Sequence, residues 1–191
     1  MKGNIMNKVL VGTCAALSLM SSAVMADSTP VMFSSLNGFN APAASEVKGV
    51  RLAALHGKTG DVTGVDFALG MSESDNLTGV NFPLFIGANK VNGNMTGASF
   101  GLFNWHKGED VGANLGFVNI TNDVTGANLS AVNYSEGYTM VDVGVANLSN
   151  DSHVQVGLFN MTSDIKGVQI GLINCAENGF LPCFPFVNFA M

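Results

Sequence analysis

The chain has 191 residues, of which 12% are charged and 47% hydrophobic, and its formal net charge is −6. This composition excludes an intrinsically disordered chain, which is rich in charge and poor in apolar residues, and the scarcity of Glu, Lys and Arg excludes a coiled coil. Eight Lys and Arg against 14 Asp and Glu also argue against nucleic acid as the main partner, because phosphate contacts need clustered cations.

Residues 1–26 have the layout of a secretory signal peptide. Two lysines precede an apolar run from Val9 to about Met20, and the small residues of Val24-Met25-Ala26 resemble a cleavage site. The apolar run is short and rich in Ser, Gly and Ala, which makes it a poor membrane span. We therefore expect an exported protein that is periplasmic, associated with the outer membrane, or extracellular.

From about Val47 to the end, the chain repeats one unit, as in Gly157-Leu158-Phe159-Asn160 and Gly171-Leu172-Ile173-Asn174. Residues 47–191 are therefore predicted to form one β-repeat domain with a C-terminal capping coil, and residues 27–46 a linker or an N-terminal cap. Alignment of the copies on their last residue gives ten anchors, 13 to 18 residues apart: His56, Met71, Ile86, Asn104, Asn119, Asn133, Asn147, Asn160, Asn174 and Asn188.

The aligned copies alternate between apolar and polar columns. Apolar residues lie two, four and six positions before the anchor, as in Val168, Ile170 and Leu172, and a spacing of two places them on one face of a strand. The residue five positions before the anchor is mostly polar and lies on the opposite face. These polar residues are predicted to form the recognition surface: Asp66, Asn81, Ser99, Asn114, Asn128, Asp142, Gln155 and Gln169.

Two architectures can use such a unit. In a parallel β-solenoid each copy is a full coil, whereas in an antiparallel meander or barrel each copy is one strand and the pattern repeats every two units. The period here is one unit, so we predict an all-β fold, a parallel β-solenoid of about ten coils of 13–18 residues, with the antiparallel barrel or meander as the alternative. The seven asparagine anchors from Asn104 to Asn188 are predicted to stack as a structural ladder, because amides can hydrogen-bond from coil to coil.

The end of the chain is predicted to stop the stack. Export leaves Cys175 and Cys183 as an even pair in an oxidising compartment, so a disulfide across eight residues is predicted, with two buried thiols as the alternative. The last copy, residues 178–189, gains two prolines and four aromatic residues. Proline removes donors from a β-ladder, so this copy suits a cap.

The unit Val168-Gln169-Ile170-Gly171-Leu172-Ile173-Asn174 resembles the VQIGLxN-type repeats of bacterial surface-repeat proteins, the kind described from leptospires. The ending from Leu181 to Phe189 is similar to one seen in such proteins. The resemblance covers the repeat region and implies an exported or surface-exposed protein. It brings no activity and no catalytic residues.

Candidate catalytic residues do not come together in the alignment. His56, His106 and His153 fall in different columns, and no Cys or Ser lies in a nucleophile motif. Aspartates recur at the turns and are predicted to cap them, because the nonapeptide of calcium-binding solenoids is missing: Asp61, Asp110, Asp123, Asp151 and Asp164. We therefore predict no catalytic site, no bound metal and no cofactor.

The sequence leaves open which columns face inward. Phe85, Phe103, Trp105 and Phe159 either fill the core or line an exposed binding strip. The predicted function is that of a non-enzymatic exported repeat protein, a binding or structural module at the cell surface or in the periplasm. Its expected partner is a protein or glycan of the cell envelope, and membrane association is compatible with the sequence. The alternative is an outer-membrane β-barrel or pore component.

Overall fold

The computed structural model describes residues 26–83 and 87–191, so the predicted signal peptide, apart from Ala26, lies outside the described residues. The described residues form β-strands, with one 3-10 turn at Leu36–Gly38. The strands are β1 Ala26–Ser34, β2 Asn40–Ala41, β3 Ala44–Ala53, β4 His56–Lys58, β5 Val62–Ala68, β6 Met71–Ser74, β7 Leu77–Pro83, β8 Ala88–Val91, β9 Met95–His106, β10 Glu109–Thr121, β11 Asp123–Leu129, β12 Val132–Val143, β13 Ala146–Val156, β14 Phe159–Ala176 and β15 Cys183–Phe189.

Successive copies of the unit pair in parallel. β10 pairs residue by residue with β9 and with β11, so that Gly97, Gly112 and Gly126 lie side by side. The offset between paired residues is one repeat, which means that the chain completes one circuit per repeat. About nine circuits form a parallel β-solenoid. The predicted fold class is therefore confirmed, and the antiparallel barrel or meander is wrong.

The first copies are aligned differently from the prediction. The residues that align with Asn104 in the parallel ladder are Gly57, Ser72 and Asn89. The predicted anchors His56 and Met71 lie one position before this column, and Ile86 is outside the described residues. The physical reason is a longer connection: the polar column is six residues before Gly57, but five residues before Asn104.

The two ends of the stack differ. Apart from Ala26, β1 and β2 lie within the segment that was predicted to be a linker or cap. β1 pairs in parallel with β3 and antiparallel with β2, which is the edge strand. At the other end, β15 runs antiparallel to β14, so the last copy is a closing strand and not a tenth coil. The disulfide between Cys175 and Cys183 joins these two strands, as predicted.

The solenoid has a polar interior and an apolar exterior. The column that contains Asn114 and Asn128 is completely buried, whereas Phe117 and Leu172, from the apolar columns, are 58% and 57% exposed. A cluster of buried apolar side chains fills part of the interior of the N-terminal half: Met32, Ala44, Val47, Val62, Leu77, Val91 and Met95. Within the described residues, no helix has the length and apolar character needed to cross a membrane.

Candidate functional site

The residues predicted to form the recognition surface lie inside the solenoid. All are completely buried except Asn81, which is 3% exposed: Asp66, Asn81, Ser99, Asn114, Asn128, Asp142, Gln155 and Gln169. This burial corrects the prediction, because a partner outside the solenoid does not reach them. The fold tolerates the burial of these polar groups because neighbouring coils supply their hydrogen-bond partners. The Asn114 amide donates to Asn128 at 3.0 Å, and the Asn128 amide donates to Asp142 at 3.0 Å.

The asparagine ladder runs through the interior as a second column. Each Nδ2 donates to the Oδ1 of the next coil, at 2.7 to 3.0 Å, along the series Asn104, Asn119, Asn133, Asn147, Asn160 and Asn174. Asn89 extends this series at its start, with an Nδ2 to Asn104 Oδ1 distance of 3.0 Å. Asn188 does not belong to it, because the antiparallel strand β15 aligns Asn188 with Gln169.

Replacing Asn133 with leucine should lower the free energy of unfolding by about 1–3 kcal/mol, because it leaves buried partners without hydrogen bonds. Asn133 Nδ2 donates to the Val143 carbonyl at 3.1 Å and to Asn147 Oδ1, while its own Oδ1 accepts from Asn119. Urea unfolding of both proteins measures the loss. The exposed Asn150, replaced in the same way, is the matched control and should change stability by less than about 0.5 kcal/mol. Equal losses for the two variants would contradict a stabilising ladder.

An ion pair is buried in the first coils. Arg51 and Asp66 are both completely buried, and the guanidinium contacts the carboxylate with two parallel hydrogen bonds, Nε to Oδ1 at 2.8 Å and Nη2 to Oδ2 at 2.5 Å. Arg51 Nη1 also donates to the Glu73 carbonyl at 3.1 Å. Ser72 and Asn81 donate to Asp66 Oδ2. The pair is thus enclosed by hydrogen bonds, which is the condition under which a buried charge pair is tolerated.

Asp142 carries a second buried carboxyl group. Burial raises the pKa of Asp142 above its ordinary value of 3.8, and hydrogen bonds from Thr139, Asn128 and Gln155 oppose that rise. A carboxyl group whose pKa is higher in the folded than in the unfolded protein takes up its proton on folding. The contribution of Asp142 to stability therefore falls as the pH rises from 3.8 through the folded pKa.

Replacing Asp142 with asparagine should make stability less dependent on pH. Asparagine is neutral at every pH and has the shape of the carboxylate, and Asn128 in the same column shows that the site accepts an amide. Relative to the unchanged protein, the variant should therefore gain stability as the pH rises above 3.8. Thermal unfolding of both proteins across that pH range measures the difference. A difference that is constant with pH would show that ionisation of Asp142 does not affect folding.

Ser99, His106 and Asp110 form a chain of contacts that the sequence did not predict. Asp110 Oδ2 lies 2.7 Å from His106 Nδ1, and His106 Nε2 lies 3.4 Å from Ser99 Oγ. These are the partners of a serine hydrolase triad. The sequence does not reveal this contact, because the inward position of His106 follows from the strand register, which places it opposite Val91.

Their environment does not suit catalysis. Ser99 and Asp110 are completely buried, and His106 is 2% exposed. The Ser99 hydroxyl accepts a hydrogen bond from Asn89 at 2.9 Å and donates to Asn104 at 3.2 Å, so it is held within the polar core. A depression of about 250 Å³ beside His106 does not include Ser99 in its lining. The three residues therefore act as a hydrogen-bonded core network in this structure.

The recurring aspartates have two different positions. Asp61 accepts a hydrogen bond from Asn76 at 2.7 Å, and Asp123 accepts one from the Tyr138 backbone amide at 2.9 Å, so both bridge adjacent turns. Asp164 accepts in the same way from Asn178 at 2.5 Å, and Asp151 lies 3.9 Å from Lys166. Asp110 is instead inside the core. In the described part of the chain, no group of three His, Cys, Asp or Glu is arranged to hold a metal ion.

A charged cluster surrounds Glu73 in the first coils, and Glu73 itself is buried, at 7% exposure. Glu73 contacts Lys58 and Lys90, each at 3.3 Å, and Asn92 at 3.2 Å. Burial opposes ionisation of Glu73, but hydrogen bonds from Asn92, Lys58 and Lys90 outweigh it and lower the pKa to about 2. The pKa is thus lower in the folded protein, so these contacts stabilise the fold above pH 4.5 and lose their effect as the pH falls towards about 2.

Large apolar side chains make up much of the remaining exterior, and Thr96, Thr125 and His153 are exposed beside them. Side chains alternate inward and outward along each strand, but the alternation is broken where two successive residues, such as Leu158 and Phe159, both point outward and form a corner of the coil. We call the exposed residues of this corner the corner strip. They are 36–58% exposed: Leu102, Phe103, Phe117, Val145, Leu158, Phe159, Leu172 and Ile173.

The aromatic residues left open by the sequence point outward. Phe103 is 51% and Phe159 36% exposed, and Trp105 on the adjoining face is 46% exposed. Phe85 lies outside the described residues. Near the C-terminus the same face carries an open depression of about 550 Å³, with Leu148, Met161 and the Cys175–Cys183 disulfide among its lining residues. The accessible candidate site is therefore the apolar outer surface and not the polar columns.

Fold and site define the chain as a parallel β-solenoid with a hydrogen-bonded polar interior and an apolar corner. Comparison of the chain with protein-family models, curated proteins and solved structures found no match.

Proposed function

We propose that the protein is an exported, non-enzymatic repeat protein that works as a binding or structural module of the cell envelope through its apolar outer surface. The observation that carries this proposal is the distribution of polarity. Amides and buried charges hold the coils together from inside, while large apolar side chains such as Phe117, Leu158 and Leu172 remain more than half exposed. Exposed apolar surface of this extent is typical of interaction sites in soluble proteins.

Two further observations support the proposal. The N-terminal sequence has the layout of a signal peptide, and the disulfide between Cys175 and Cys183 fits an oxidising compartment outside the cytoplasm. The resemblance of the unit that ends at Asn174 to the repeats of bacterial surface-repeat proteins points to the same location. The burial of Ser99 and Asp110 removes the most suggestive catalytic group from reach of a substrate, which favours a non-enzymatic role.

Expression of the full chain in a Gram-negative host, followed by fractionation, tests this function. We expect the recovered protein to begin at Asp27 and to stay with the envelope fraction until detergent is added. The variant L102N/L158N removes two corner side chains and should shift the protein to the soluble exported fraction. Recovery of an uncleaved chain in the cytoplasm, or envelope retention unaffected by L102N/L158N, would contradict the proposed function.

A further inference from the structure

The exposed charges of the central and C-terminal coils are separated from the corner strip. Between Met95 and Ala176, the Lys, Asp and Glu side chains that are not buried lie in, or within two residues of, the stacked column that contains Glu109, Asp123, Asp151 and Asp164. We call this region the charged edge: Lys107, Glu109, Asp123, Glu136, Asp151, Asp164 and Lys166. Two of these seven are cations and five are anions. In each coil, the corner strip is separated from this edge by outward apolar residues, such as Ile120 and Met161. The solenoid is therefore amphipathic across its width.

The corner strip is long and continuous. The parallel register stacks Phe103 and Phe159 of the strip in one column, with the half-buried Val118, Val132 and Ala146 of the intervening coils between them, and Ile173 follows in the next coil. Six coils at a spacing of about 4.8 Å make a strip of roughly 24 Å. A strip of this length is the β-counterpart of the apolar face of an interfacial helix, which lies in the plane of a membrane with its polar face in water.

Amphipathic aromatic residues mark the boundary of the apolar surface. Phenylalanines such as Phe103 and Phe117 lie on the corner, whereas Trp105 and Tyr134 lie one column further towards the charged edge. Two lysines flank Trp105: Lys90 Nζ is 5.4 Å and Lys107 Nζ is 5.1 Å from the ring centroid. Trp and Tyr at such a border, with Lys side chains that reach towards water, are typical of the headgroup level of a bilayer.

The shape of the surface favours lipid over a protein surface. The apolar residues cover two adjacent outer faces that meet at a convex corner, where Leu158 and Phe159 both point outward between the inward Gly157 and Asn160. A second copy or another flat protein covers one such face at a time. The interfacial region of a bilayer is fluid, so it can contact both faces of a convex corner at the same time. The charged edge, on the far side, stays in water.

We propose that the corner strip inserts into the interfacial region of a lipid bilayer, with the solenoid axis parallel to the membrane plane and the charged edge in water. The proposal rests on the function proposed above and names its partner as phospholipid. Because the corner carries no cation, zwitterionic lipid suffices, and binding should not weaken when salt screens the charges of the protein.

Trp105, the single tryptophan of the chain, reports the insertion directly. The probe is a vesicle of zwitterionic phosphatidylcholine that contains brominated lipid, which quenches tryptophan at the headgroup and upper acyl level. With the purified full chain we expect a blue shift and quenching of Trp105 emission, unchanged between about 0.05 and 0.5 M NaCl. If the chain attached to the vesicle only through its N-terminal segment, Trp105 would stay in water. A Trp105 emission that is neither shifted nor quenched therefore overturns the proposal.

Paired variants locate the contact. L102N/L158N, at 42% and 54% exposure, should weaken vesicle partitioning about tenfold for each replacement. The control V111N/M140N changes two apolar residues of 43% and 44% exposure that lie in the outward column of Lys166, at the charged edge, and it should change partitioning by less than about threefold. Circular dichroism and the thermal midpoint confirm that both variants fold. Equal effects of the two pairs overturn the proposal.

The failure of this proposal and the failure of the proposed function have different signatures. If phosphatidylcholine vesicles do not bind, but envelope retention in cells still depends on Leu102 and Leu158, the partner of the corner is a protein. The lipid proposal is then overturned and the proposed function stands. If purified protein instead self-associates through the corner, as shown by a mass that falls to one chain in L102N/L158N, a second copy is the partner and the lipid proposal is again overturned.

Discussion

Replacing Asp66 with alanine should lower the free energy of unfolding by about 3–5 kcal/mol, because it leaves the completely buried Arg51 guanidinium without its counter-ion. The remaining partners of Arg51 are neutral: the Ser72 hydroxyl and the Glu73 carbonyl. Urea unfolding measures the loss. The matched control is Lys48→Met, which removes an exposed ion pair with Glu46 at 3.1 Å and should cost less than about 1 kcal/mol.

A double replacement separates the pair from its individual charges. In R51M/D66N both charges are gone, while an amide remains to face Asn81. Because an isolated buried charge is more costly than no charge, the double variant should be more stable than Asp66→Ala alone. If Asp66→Ala costs no more than Lys48→Met, or if the double variant is the less stable, the buried pair does not stabilise the fold in the way its geometry indicates.

Replacing Gly112 with alanine should have a comparable effect, a loss of at least about 3 kcal/mol. Gly112 has a φ of 144°, a conformation that L-residues rarely adopt, and a Cβ built there would overlap the carbonyl oxygen of Gly97 in the preceding coil. The overlap is with backbone, so relief requires the two coils to move apart and weakens the ladder between β9 and β10.

Gly38 is the matched control for this substitution. It also has a positive φ, 85°, but a Cβ there would have no heavy atom within 4 Å. Gly38→Ala should therefore lower the free energy of unfolding by about 1–2 kcal/mol, the cost of holding an L-residue at a positive φ without a steric overlap. The difference between the two variants in thermal unfolding isolates the steric contribution of the close stacking of coils. Equal losses would mean that the stack tolerates a side chain at Gly112.

Some features of the interior were readable from the sequence and others were not. The amide series through Asn119, Asn133 and Asn147 was predicted, because a polar residue that recurs once per coil is placed next to itself by stacking. The first coils were misaligned by one residue at His56 and Met71, because an insertion in a connection leaves no mark on strand periodicity. The correct alignment needs the hydrogen-bond register.

The contact between Ser99, His106 and Asp110 shows a second limit. These residues lie in one stretch of the chain, but their contacts depend on three inward columns that converge in the interior. Alignment gives the column of a residue and not the distance between columns. The three residues resemble a catalytic triad in their types and contacts, but the structure shows that all three side chains are buried. This burial is a property of the closed coil and cannot be read from the sequence.

The amino-acid order alone favoured copies that run in the same direction, because the pattern repeats once per copy, whereas strands that reverse repeat it every two copies. It also predicted the cysteine pair and a last copy that ends the stack, but as a capping coil and not as the antiparallel strand β15. Which side of each strand faces inward was decided by the tertiary structure alone. A spacing of two places residues on the same side of a strand, but it does not show whether that side faces inward or outward. The amides of Asn114 and Asn128 can occupy the interior because stacking supplies their hydrogen-bond partners. The aliphatic and aromatic side chains are thereby left outside, where the corner strip forms.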